Sequence, residues 1–151
     1  MKKFMSVWIV MALLVCIVAF AEETIRVDFG DTFYLRRPVA LETIELTPDD
    51  ASEGMVYAAS SDELEMWVWK YEMDGATPDD IFEEIYMDEY KTDIQENVVG
   101  AARYVTYTVE DEGVGATFIC DDDSYYEFSF YCVTDEAEEL ARATLSSVGA
   151  M

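Results

Sequence analysis

The chain has 151 residues, 33 of them acidic and 9 basic, and carries a formal net charge of −24 with no histidine. That charge excludes nucleic acid as a partner, because backbone binding rests on Lys and Arg neutralising phosphate, and it disfavours an anionic membrane surface for the same reason. The missing histidine removes His-dependent triads, His-ligated zinc and His general bases.

Lys2 and Lys3 precede an apolar run from Phe4 to Phe20, broken only by Ser6. Ala19-Phe20-Ala21 comes next, then Glu22 and Glu23. This is the layout of a secretory signal peptide over 1–21, cleaved after Ala21. The alternative is an N-terminal membrane anchor, for which the run is at the short limit. Cleavage leaves 22–151 as one domain, long enough for its own core. It also removes Lys2 and Lys3, taking the net charge from −24 to −26. The product is secreted or held in the cell envelope, with no membrane contact once the signal is gone. Its charge keeps it soluble and attracts basic proteins or divalent cations. Disorder is not indicated, since 14 % of the chain is aromatic.

Residues 24–37 have β character and form either a hairpin about Gly30-Asp31 or one bent strand. Pro38 ends it. Residues 39–53 are ambiguous, and TPDDASEG is turn chemistry. Strands are predicted over 54–60 and 64–72. In the second, Leu64, Met66 and Val68 point one way, and Trp67, Trp69 and Tyr71 the other. Both sides are apolar, which predicts a central strand covered on both faces. Thr77, Pro78, Asp79 and Asp80 start a helix as cap, first position and dipole-favoured acids. It should fade near Tyr90 or Lys91. Further strands are predicted at 103–109, 114–120 and 125–133. A second amphipathic helix spans 135–148, capped by Thr134.

Strands joined by short loops make an antiparallel sheet, and two helices must bury their stripes on it. The fold class is therefore α+β, with a single antiparallel sheet flanked by the helices after Thr77 and after Thr134, one on each side. The ending YEFSF, 126–130, followed by TDEAEELARATLSSV, 134–148, resembles the last strand and helix of PsbP-like exported domains. The order of elements agrees. The resemblance implies an antiparallel sheet packed between helices and a protein that is not an enzyme. It transfers no functional residue.

The chain has no P-loop, no G-x-G-x-x-G, no G-x-S-x-G and no N-x-[ST] acceptor. No cofactor is implied. Carboxylate pairs are too numerous for spacing to single one out, so a carboxylate-dependent hydrolase is the last of three readings. Asp121, Asp122 and Asp123 are weak candidates for Ca²⁺. As an EF-hand loop the stretch fails, with Tyr126 where Gly is needed and Cys132 where Glu is needed. A solvated turn fits better. Trp67, Trp69 and Tyr71 form an aromatic stripe. Exposed, it would stack on sugar rings or a partner; covered by a helix, it is core, and burial is the rule for aromatics.

Cys120 and Cys132 invite a disulfide in an exported protein. Strand parity opposes it. For the apolar faces of 114–120 and 125–133 to coincide, Cys120 must oppose Ser124 or Tyr126. Cys132 then lies about 20–27 Å away at ~3.4 Å per residue, whereas a disulfide needs Cα atoms within ~7 Å. Two buried free thiols are predicted. Functionally, the composition points to a non-catalytic module binding a basic protein or surface. The alternative is a ligand- or carbohydrate-binding module using Trp67, Trp69 and Tyr71.

Overall fold

The structure, a computed structural model, describes residues 23–121 and 123–151. The predicted signal segment, Glu22 and Asp122 lie outside the described residues.

Strands β1 (Thr24–Phe29) and β2 (Phe33–Pro38) form a hairpin. The turn needs a left-handed residue, and Gly30 supplies it at φ 55°. Of the two readings of this stretch, the hairpin holds. It is joined by β10 (Gly149–Ala150), so the two ends of the domain share a small three-stranded sheet. The sequence pattern did not announce β10.

The larger sheet has seven strands: β3 (Glu42–Thr43), β4 (Met55–Ser60), β5 (Leu64–Glu72), β6 (Lys91–Val99), β7 (Ala102–Val109), β8 (Gly113–Ile119) and β9 (Ser124–Cys132). Their order is β3-β4-β5-β9-β8-β7-β6, and every ladder is antiparallel. β5 is central, as its two apolar faces require. β6 was not predicted. KTDIQENVV lacks alternation because it is a sheet edge, and a bulge between Thr92 and Gln95 breaks its period. Asp93 takes a positive φ of 51° there.

Three helices complete the fold. Helices α1 (Pro48–Ser52) and α2 (Pro78–Met87) begin with the same letters, Thr-Pro-Asp-Asp. Each has a reciprocal capping box: Thr47 with Asp50, and Thr77 with Asp80. The residues beyond that shared start decide their lengths. α1 has no buried residue and ends at once, whereas α2 buries Ile81, Phe82 and Ile85. Its end at Met87 is earlier than predicted. α3 (Asp135–Ser146) is capped by Thr134 as expected.

The main core lies on one face of the large sheet. Direct pairing aligns Met66 with Phe130, Val68 with Phe128, and Ala116 with Phe128. The β1–β2 hairpin and α3 cover this face, contributing Phe29, Phe33, Leu35, Ala141 and Leu145. Phe118 is fully buried, stacked between Phe33 at 4.5 Å and Tyr104 at 4.4 Å. Each such ring contributes about 1.5–3 kcal/mol.

The opposite face is treated differently. α2 packs only at its β6–β8 end, over Val105, Tyr107 and Ile119. The expectation of a helix flanking each side therefore holds only in part. One face has a helix and a hairpin, and the other has ten helical residues over one end. A helix that short is ~15 Å long and cannot span seven strands ~4.8 Å apart.

Arg37 ties the two sheets together. It is 4 % exposed and has no carboxylate partner among the described residues. Its guanidinium donates to the Pro38 and Leu41 carbonyls, the Tyr57 hydroxyl and Thr43 Oγ1. A buried cation is tolerated when its donors are satisfied in this way.

Candidate functional site

Trp67, Trp69 and Tyr71 lie on the face that α2 leaves open. They pair with Ser129, Glu127 and Tyr125 of β9. All three are half-buried, and none belongs to either apolar core. The stripe therefore lies between the two readings, outside both core clusters yet not exposed. Flat aromatic side chains shield the small residues beside them instead, and Ala58, opposite Trp67, is 1 % exposed. Trp67 Nε1 donates to Glu65 Oε2 at 3.0 Å. Tyr71 packs on Tyr125 with ring centroids 5.6 Å apart.

Glu127 stands between this open region and α2. Burial pushes its carboxyl above the ordinary carboxylate value, partly countered by Lys91. With Glu84, Asp88 and Lys91 it lines a depression of about 280 Å³. Two carboxylates with oppositely shifted values are the pattern of acid–base chemistry. Here, however, Asp88 is already engaged. It lies 3.1 Å from Lys91 Nζ and accepts the Tyr90 N–H at 3.0 Å, which holds it below its usual range.

In the acidic loop, Asp121 Oδ1 accepts the backbone N–H groups of Asp123 and Ser124 at 2.9 and 2.7 Å. That is turn chemistry, and it lowers the Asp121 pKa. Asp122 lies outside the described residues. Among the described residues no three Asp, Glu or Cys side chains are grouped to hold a metal. The ladder pairs Ile119 with Tyr125, so Cys120 stands across from Ser124, while Cys132 pairs with Leu64. Both thiols are free and half-buried, more accessible than predicted.

One concavity was not anticipated. A groove of about 730 Å³ runs between α3 and β2. Its apolar wall is Pro38, Ala40, Leu140 and Ala143; Glu63, Glu136 and Glu139 also line it. The line Glu136–Glu139–Ala143 sits one step around α3 from the core stripe. An alanine following Glu136 and Glu139 on that line was the only sign of it in the sequence.

The charge distribution explains where the few cations go. Arg26, Lys91, Arg103 and Arg142 are ion-paired with Asp28, Asp88, Asp79 and Glu138. Arg37 is buried. Arg36 and Lys70 lie over the rings of Tyr34 and Tyr126 at 6.0 and 5.7 Å. Five of the seven basic side chains among the described residues are thus ion-paired or buried, while most carboxylates face solvent unpaired.

No family model matches the chain, and no curated protein does. The chain is similar to the solution structure of cyanobacterial PsbP (CyanoP) from Synechocystis sp. PCC 6803. The match covers 85 % of this chain and 92 % of that one, with a TM-score of 0.55 and 14 % identity. The chain therefore has a PsbP-like fold, as the C-terminal pattern implied; at that identity the likeness concerns the fold alone. Among the described residues no helix is long and apolar enough to cross a membrane.

Proposed function

We propose that the protein is an exported, non-catalytic binding module for a cationic partner, a basic protein or surface. The observation that carries this reading is the scarcity of free cations: of the seven described, four lie in ion pairs and Arg37 is buried. The remaining surface is left almost wholly anionic, and an anionic surface steers and holds basic partners. The signal-like residues 1–21 support export. The hydrolase reading is weaker, because Asp88 is already committed to Lys91 and the Tyr90 N–H.

Calorimetric titration with poly-lysine tests the proposal. Binding should be measurable at low ionic strength and fade as salt rises past the point where the Debye length is ~10 Å. No binding at low salt, or binding indifferent to salt, would refute it. A second reading is favoured by the open position of Trp67 and Trp69: a ligand module stacking on that stripe. It requires tryptophan fluorescence to change with a soluble oligosaccharide and to do so independently of salt.

A further inference from the structure

We propose that the groove between α3 and β2 docks an extended segment of a partner protein that carries both lysine or arginine and large apolar residues. This rests on the cationic-partner reading and says where that partner sits.

Shape sets the conformation. The lining residues on α3 run from Glu136 to Ser147, roughly 16 Å at ~1.5 Å per residue. A volume of about 730 Å³ over that length leaves a cross-section of roughly 45 Å². An extended chain with its side chains occupies ~48 Å², from the ~4.8 Å strand and ~10 Å sheet spacings. A groove of that section admits an extended chain.

The wall sets the chemistry. Leu140, Ala143, Ala40 and Pro38 offer apolar surface, and Glu63, Glu136 and Glu139 offer negative charge, against Arg36 as the one cation in the lining. Past Ala40 and Ser61 a second depression of about 370 Å³ adds Glu42 and Asp62. None of these five carboxylates is in an ion pair among the described residues. The β2 backbone cannot serve as a template for strand addition. Ser147 Oγ already accepts from the Arg36 N–H at 2.7 Å, β10 pairs with Phe33 and Tyr34, and Pro38 has no N–H. Side chains alone therefore select the partner.

The test is fluorescence anisotropy with a labelled, capped decapeptide of alternating leucine and lysine. Controls replace every leucine by serine or every lysine by glutamine. The parent peptide should bind, and either control should weaken binding tenfold or more. Ala143→Arg, at an exposed helical position, should weaken it tenfold or more with unchanged circular dichroism. Met87→Arg, 77 % exposed on α2, should bind as the parent protein does. The joint change Glu136→Gln and Glu139→Gln should weaken binding several-fold and flatten its salt dependence. Equal binding by Ala143→Arg, or by the serine peptide, overturns the groove while leaving the cationic reading intact. A dimer that Ala143→Arg dissociates also overturns it, because the occupant is then a second copy. If neither peptide nor poly-lysine binds at low salt, both readings fall.

Discussion

Gly115 offers a sharp test of how the sheet is packed beneath α2. A Cβ built there would have three carbons of the Tyr107 ring within 3.0 Å. Ordinary carbon contacts lie at ~3.5–4.0 Å, so in Gly115→Ala the ring must retreat by roughly 1 Å. It has nowhere to go. Tyr107 is 2 % exposed, lies in the cluster with Ile81 and Ile85, and shares a 3.2 Å hydrogen bond with Thr117. Overpacking of this kind costs about 1–3 kcal/mol. Alanine's advantage over glycine in a strand returns ~0.5–1 kcal/mol. The net expected loss is about 1–2 kcal/mol. In a Tyr107→Val background the obstructing ring atoms are gone, so the same change should stabilise by ~0.5–1 kcal/mol. The coupling between the two sites is then about 2 kcal/mol, read as a difference in urea midpoints at constant slope. An equal effect of Gly115→Ala in both backgrounds would show that Tyr107 does not lie over Gly115.

Other perturbations read other parts of the molecule. Burial raises the Glu127 pKa in the folded state, so the native protein holds that proton more tightly than the unfolded chain. The resulting stability is present below the ordinary value of 4.5 and is lost as pH rises through the folded value. The thermal midpoint of Glu127→Gln should therefore gain on the parent's with rising pH, and a constant difference would contradict the assignment. Burial and the Asp121 charge push the Cys120 thiol up to about 11. Iodoacetamide should label it at pH 7.5 far more slowly than after denaturation, and equal rates would show it to be free of that environment. Arg37→Met strands two buried carbonyls and two hydroxyls and should cost about 3–5 kcal/mol by denaturant unfolding. A loss under ~1 kcal/mol would mean that water takes over those bonds.

Elements with one dominant local signal were legible. The Thr77-Pro78-Asp79-Asp80 start, the β5 double face and the Thr134 cap all reappear in the structure. Parity narrowed the register of β8 and β9 to two, because a one-residue slip would bury Tyr125 and Glu127 in place of Tyr126 and Phe128, and the pairing of Ile119 with Tyr125 selects the one that sets Cys120 against Ser124. The features that failed to show were decided between elements. β6 is polar because one edge of it meets water. The stripe of Trp67 and Trp69 is open because α2 is too short to reach it, and strand spacing is blind to how far a distant helix extends. The groove arises where α3 and β2 diverge, and no single segment carries that angle.

Ser147 completes the edge of β2 although it sits 111 residues from Arg36 along the chain. β10 comes directly after it and pairs with Tyr34 and Phe33. The β1–β2 hairpin is made early in synthesis, yet its outer edge stays unfinished until nearly the last residues arrive. Until then Phe29 and Phe33 have no closed core to enter. A chain synthesised N-terminus first therefore completes this edge only once α3 and β10 have been made.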